Sequence, residues 1–355
     1  MNRAWGALVA AVPIAAFFAC AENPTAPPEE QLQPSDAAID GGDPNGDGGG
    51  PAEDPGIECT TAEFVDTPMP GAEVESFGAT EDALFLSLVN GTALEMRKYT
   101  VKAPCVLERD KTFTYVPVNH AHVGANGVIW EAGNELGRSD TGVFSACDVD
   151  NALLAADAGA EAFIGPWVLQ PAGTGGYAVY ETFMGPTLIG ARLAQFTASG
   201  STCHVAPLGD AIPMPKPYAA MAIDRGGRLW AITDTGTGMP GSLEIEVRDA
   251  NTGALKTSLK PDTPSYLAYD FADSLAPCDD TVCILDYEKE FVTKLGPDAK
   301  PLGSFAIISP EGKHFRPMAV ASSSKGVFIA GNINAAGAAD NDPSAPRILL
   351  AKTPK

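Results

Sequence analysis

The chain has 355 residues, 45 % of them hydrophobic, with 23 Lys and Arg against 45 Asp and Glu and a formal charge of −22. So acidic a chain repels phosphate backbones, which excludes nucleic-acid binding, while its length is ample for one large core or two ordinary domains. The charge is segregated: residues 1–20 carry +1, residues 21–57 carry −9 and residues 58–355 carry −14.

Arg3 is the only charge ahead of an apolar run from Ala4 to Ala19. A positive start and a short apolar core at Ala7–Ala19 form a signal peptide over residues 1–19. The run is shorter than the roughly 20 residues a membrane span needs, and an acidic segment follows it, not the Lys/Arg-rich flank of a cytoplasmic end. Phe17-Phe18-Ala19-Cys20 resembles the lipobox of bacterial lipoproteins, in which a small residue precedes the modified cysteine. The resemblance implies cleavage before Cys20, diacylglycerol and palmitate-type chains on its sulfur, and an exported chain anchored in the bacterial cell envelope. Several chains anchor stably, because each buried CH₂ contributes about 0.8 kcal/mol. Ala21, where Asp would mark retention, resembles lipoproteins passed on to the outer membrane in hosts that have one.

Residues 20–57 form the tether. From residue 21 onward they hold nine acidic residues and no Lys or Arg, and Pro and Gly dominate. Such a segment buries too little apolar surface to offset its ordering entropy, so it is expected to be disordered and to hold the rest of the chain off the membrane. Asp43, Asn45, Asp47 and Gly48 fit the first half of an EF-hand loop. Asp54 replaces the closing Glu and no amphipathic helix flanks the loop, so the segment reads as solvated linker.

Residues 58–355 are rich in strand signals. Six short apolar strands follow turn-forming clusters: Ala83–Leu88, Gly127–Ala132, Gly176–Glu181, Gly227–Ile232, Thr281–Asp286 and Gly326–Gly331, spaced by 44, 49, 51, 54 and 45 residues. Another apolar strand precedes several of them, as at Tyr218–Ile223, Tyr266–Phe271 and Phe315–Val320. Third strands follow through turns, with Asn90-Gly91 a hairpin signal before Leu94–Tyr99. Leu255–Leu259 and Leu302–Ala306 supply fourth strands. A repeat of strand and turn at this period is the footprint of a propeller blade, whose sheet is buried on both faces by its neighbours. The fold class is therefore all-β, a six-bladed β-propeller of four-stranded antiparallel blades; seven blades and paired β-sandwiches are the alternatives. Met221–Asp234, with the turn Asp224-Arg225-Gly226-Gly227, resembles the repeat of NHL and SMP-30/gluconolactonase-like propellers. Cys59–Val65 is expected to complete the outer edge of the last blade.

Six cysteines follow Cys20, an even count that in an oxidising compartment implies disulfides. Six cysteines allow 15 connectivities, among which the sequence does not choose; Cys278 and Cys283 suit a local bridge, and Cys59 with Cys105 and Cys147 with Cys203 would then be sequential pairs. No C-x₂-C pair suggests zinc.

Propellers bind small ligands where loops converge on the channel mouth. The segments entering the inner strands hold Asn119, His120, Lys216, Tyr218, Tyr266, His314 and Arg316, a set suited to an anionic or carbohydrate ligand. His120 and His122 share one strand face about 7 Å apart. His204 follows Cys203 in an outer strand and reads as structural. Trp130 and Trp230 hold one register and read as core between blades, as does Trp167 off register. No nucleophile elbow, zincin helix, P-loop or dinucleotide fingerprint is present in the sequence. The expected function is a non-catalytic propeller, with no resident cofactor, that binds a small molecule or envelope protein. The alternative, implied by the SMP-30 resemblance, is a metal-dependent lactonase or hydrolase with calcium held by groups such as Asp224, Asp270 and Asn119.

Overall fold

The computed structural model describes residues 72–351 apart from 92, 104–105, 118–119, 134, 140–143, 150–153, 155–159, 200–201, 211, 214–217, 235–242, 260–273, 279–280, 287–290, 307–312, 324–325 and 336–344. The leader, Cys20, the tether with its EF-hand-like run and the Cys59–Val65 strand lie outside the described residues. So do Cys105, Asn119, Lys216, Tyr266 and Asp270.

Among the described residues, twenty-five strands form six sheets. Blade 1 runs β1 (Glu73–Ala79), β2 (Ala83–Asn90), β3 (Ala93–Ala103), β4 (Val106–Arg109). Blade 2 is β5 (His120–Val123), β6 (Ile129–Ala132), β7 (Leu136–Ser139), β8 (Ser145–Ala146). Blade 3 holds β9 (Asp148–Val149), β10 (Glu161–Ala172), β11 (Gly175–Met184), β12 (Thr187–Ser199), β13 (Thr202–Pro207) and β14 (Ile212–Pro213). Blade 4 is β15 (Tyr218–Ile223), β16 (Arg228–Asp234), β17 (Leu243–Asp249), β18 (Leu255–Leu259). Blade 5 is β19 (Leu275–Cys278), β20 (Thr281–Asp286), β21 (Phe291–Leu295), β22 (Pro301–Ala306), and blade 6 is β23 (Lys313–Ser323), β24 (Gly326–Ala335), β25 (Ala345–Ala351). Strands pair antiparallel in chain order from the inside outward, and in blade 3 β9 adds parallel to β13 while β14 pairs with β12.

The inner strands close a ring. β1 packs beside β5, β5 beside β10, β10 beside β15, β15 beside β19, β19 beside β23, and β23 returns to β1. Asn332 of the last blade donates its side-chain amide to the Ala72 carbonyl at the start of the first, 3.4 Å away. The chain is therefore a six-bladed β-propeller, not a pair of sandwiches. Five sheets have four strands or more, and blade 6 has three among the described residues.

All six apolar repeats are the second strands of their blades, and they are buried for the reason the repeat implies: each lies inside a sheet covered on both faces. β2 and β6 are buried along almost their whole length. Trp130 and Trp230 are fully buried in core clusters between blades 2 and 3 and between blades 4 and 5. Trp130 packs on Phe196 with ring centroids 4.5 Å apart.

Two strand assignments change. Asn90 pairs with Ala93 and so stays in the strand, and Gly91, at φ +62°, takes a left-handed position after it. In blade 5 the inner strand is β19, directly before the second strand, whereas Tyr266–Phe271 lies outside the described residues. Pro277 sits within β19 and pairs with Val282. Inner strands are sheet edges facing the channel, so a missing N–H is tolerated there; Pro171 in β10 and Pro317 in β23 occupy the same kind of position.

The disulfide Cys147–Cys203 joins blades 2 and 3 at the rim. Cys147 stands between β8, the outer strand of blade 2, and β9, which pairs parallel with β13 of blade 3. Cys278–Cys283 closes the β19–β20 hairpin. His204, on β13, places Nδ1 3.7 Å from Asp148 at the same rim, in the structural position its outer strand implies.

Candidate functional site

The inner strands of blades 2 and 4 leave the channel through matched turns. Gly124 and Asp224 each donate a backbone N–H to the carbonyl of the residue four positions on and accept the N–H of the residue three positions on, and those third residues, Gly127 and Gly227, take φ of +80° and +73°. This is a type I turn closed by a left-handed residue, a role that glycine fills without a Cβ penalty.

Together the six exits enclose a cavity of about 560 Å³. Every blade contributes: Phe77 to Glu81, His122 and Val123, Leu169 to Gly173, Ile223 to Arg225, Leu275 to Cys278, and Val320 to Ser323. Its wall alternates apolar side chains with polar groups, among them His122, Gln170 and Arg225. Bonds between blades hold it in shape. Ser76 Oγ donates to the Ala121 carbonyl, Ser322 Oγ to the Pro277 carbonyl, and Asn126 Nδ2 to the Gly173 carbonyl at 2.5 Å.

Of the residues expected to form the mouth, those that are described sit at the other ends of the inner strands. His120 opens β5, with Nδ1 2.5 Å from Glu75 Oε1. Glu75 also accepts Ser87 Oγ at 2.9 Å. Tyr218 opens β15 as a buried residue, and its hydroxyl donates to Glu246 Oε2 at 2.9 Å. Burial and the Glu246 charge push that phenol well above the usual tyrosine range. Arg316 lies early in β23 and is partly buried, and His314 is on the same strand. None of His120, Tyr218 and Arg316 lines the exit cavity, whereas His122, two residues along from His120, does.

Asp224 lines the cavity, yet its carboxylate is committed. Arg228 donates its backbone N–H at 3.0 Å and Nε at 2.7 Å, and Trp230 donates Nε1 at 2.7 Å. The Asp-x-x-Gly turn thus uses its acid to tie the hairpin to the core tryptophan. Other buried carboxylates are also hydrogen-bonded: Glu131 accepts from Tyr115 and Ser139, and Glu246 from Tyr218 and Arg248. Among the described residues no three His, Cys, Asp or Glu side chains gather as a metal site.

Sequence reasoning missed Glu81, Gln170 and Arg225 as wall residues. The available signal for Arg225 was its place inside the Asp224–Gly227 turn, since a turn between the two inner strands must face one end of the channel.

No family model and no curated protein sequence matches this chain. Among solved structures it is similar to a streptogramin B lyase, with 13% identity and a TM-score of 0.42 over 80% of this chain and 84% of that one. It is similar to the calcium-binding protein regucalcin of Agrobacterium tumefaciens, with 10% identity and a TM-score of 0.44 over 82% and 94%. An α-L-arabinofuranosidase of Fusarium graminearum is similar over 79% and 98%, with 9% identity and a TM-score of 0.45. At these levels no activity carries over from them, and the propeller assignment rests on the ring of sheets itself.

Proposed function

We propose that this chain is an exported lipoprotein, anchored through acylated Cys20 and spaced from the membrane by residues 21–57. Its propeller binds a small molecule or envelope partner in the exit cavity without transforming it. One observation carries the binding reading: all six blades contribute to a single cavity of about 560 Å³ with mixed polar and apolar walls. Ligand sites are typically concave and of this size, with a few polar groups set in an apolar lining.

Two measurements test it. Mass spectrometry of the mature N-terminus should find Cys20 as the first residue and acylated; an unmodified cysteine would remove the anchor. Small-molecule screening by thermal shift on the full chain should find compounds that stabilise it by about 2.7 kcal/mol at 100 times their dissociation constant. Ala172→Trp, which fills the cavity from the end of β10, should abolish the shift. Compounds that stabilise both proteins equally bind elsewhere and overturn the site. Metal-dependent turnover of lactones by the full chain, lost in Ala172→Trp, would favour the hydrolase alternative.

A further inference from the structure

Among the described residues, the charged or ionisable side chains that border the exit cavity are Glu81, His122, Asp224 and Arg225. All but one are already engaged. The Asp224 carboxylate takes the Arg228 backbone N–H on one oxygen, and Arg228 Nε and Trp230 Nε1 on the other. Glu81 and His122 each have an interaction of their own. Arg225 has no hydrogen-bond or ion-pair partner among the described residues, and it is exposed. The backbone that carries it is nonetheless held. Asp224 N–H donates to the Arg228 carbonyl and Gly227 N–H to the Asp224 carbonyl, both at 3.1 Å, and Ala250 N–H reaches the Gly227 carbonyl at 3.3 Å. A fixed turn thus presents an unpaired guanidinium at the cavity. Much of the remaining lining is apolar, with Phe77, Leu169, Ile223, Leu275 and Val320.

Resting on the exit-cavity reading, we propose that Arg225 recognises a carboxylate and that the ligand is an amphipathic monocarboxylate: one carboxylate on an apolar body, as in a medium-chain fatty acid. The guanidinium is permanently charged, and its planar fork matches the two oxygens of a carboxylate. One unpaired cation balances one negative charge. A phosphate dianion would keep a surplus charge close to Glu81 and Asp224, in a chain of formal charge −22, and is disfavoured for that reason. The apolar body gains by leaving water for the lining, while the polar head sets its orientation. Neutral and cationic analogues of the same body forgo the Arg225 contact, so selectivity lies in the head group and affinity in the tail.

Calorimetric titration of the full chain at pH 7 with hexanoate, hexanol, hexylamine and hexyl phosphate tests this. Hexanoate should bind about fivefold tighter than hexanol, the upper range of a single exposed charge pair. Hexylamine and hexyl phosphate should both bind more weakly than hexanoate. Added salt should erode the advantage of hexanoate over hexanol. Arg225→Gln should bring hexanoate down to the affinity of hexanol, and Arg225→Lys, which keeps the charge without the fork, should restore part of the difference. Unchanged melting temperatures will show that both variants fold. Equal binding of hexanoate and hexanol by the wild type, or a preference for hexanoate that survives in Arg225→Gln, would overturn the role of Arg225. Tighter binding of hexyl phosphate would overturn the carboxylate. In each of those cases, loss of binding in Ala172→Trp would leave the cavity reading intact. Failure of every probe to bind would overturn the monocarboxylate, and the separate compound screen would then decide the cavity.

Discussion

The indole N–H of Trp230 donates to the carboxylate of Asp224 at 2.7 Å, on the same oxygen that accepts Arg228 Nε. One acidic side chain therefore serves the turn, the cation beside it and the core of blade 4. Asp224→Ala would leave a fully buried indole N–H and a half-buried guanidinium without their acceptor, a loss on the order of 3 kcal/mol. Asp224→Asn is expected to be costly as well, because whichever way the amide turns its NH₂ faces an N–H donor, either the Arg228 backbone or the Arg228 Nε and Trp230 Nε1 pair. Urea unfolding of both variants checks this; a loss below about 1 kcal/mol in Asp224→Ala would show that the turn stands without its acid.

The same residue shows what sequence reading can and cannot reach. Asp224 was legible as part of a turn between inner strands, because Asp followed three residues later by Gly227 is a local code. Its partners were not, since Trp230 lies on the next strand and meets the carboxylate only once the hairpin has folded. Second strands were legible for a similar reason: burial on both faces leaves an unbroken apolar run. β19 was hidden because an edge strand tolerates Pro277, which reads as a breaker, while the aromatic run at Tyr266–Phe271 reads as a better strand. The exit cavity was out of reach because it is assembled from residues up to about 250 positions apart, from Phe77 to Gly326. The ring symmetry that brings them together is absent from any one repeat.

The two described disulfides should differ in weight. Cys147–Cys203 closes a loop with a separation of 56 residues, and Cys278–Cys283 one with a separation of 5. Chain entropy assigns about 4 kcal/mol to the first and about 2 kcal/mol to the second. The first also holds β9 against β13, joining two blades at a rim where β8 and β9 are only two residues long each. The double replacement of Cys147 and Cys203 by Ser should lower the melting temperature more than the corresponding change at Cys278 and Cys283. Hydrogen exchange should localise the loosening to residues 145–149 and β13. Equal effects of the two double variants would show that the rim bridge adds no constraint between blades.

Glu181, on β11, is half-buried, and that burial raises its carboxyl above the usual range. The sign follows from the folded state binding its proton more tightly than the unfolded chain does. Below the unfolded value, near 4.3, the group is neutral in both states and costs nothing. As pH rises through the raised folded value, the ionised form is penalised only in the folded protein, and stability falls. Glu181→Gln should therefore raise the melting temperature at pH 7 and leave it nearly unchanged at pH 4. A gain of the same size at both pH values would assign the effect to packing instead of charge.

Asp249 behaves in the opposite sense. Its carboxyl is lowered to about 2, first by Lys256, whose Nζ is 2.8 Å away, and then by the backbone N–H groups of Asn251 and Thr252 at 3.0 and 3.1 Å. It anchors the turn between β17 and β18, where Gly253 takes φ of +70° and packs against the Leu208 carbonyl. A depressed carboxyl contributes stability in full above its unfolded value, near 3.9, and loses it as pH falls toward about 2. Amide exchange in residues 250–254, compared with β16 in the same protein, should thus accelerate between pH 4 and pH 2. Asp249→Ala should show fast exchange in this turn throughout that range, with no pH-dependent step beyond the intrinsic one. Because the Lys256 ammonium is exposed and the carboxylate partly so, raising the salt concentration should weaken the Lys256 contribution while sparing the two backbone bonds, so the wild-type step should shrink without disappearing.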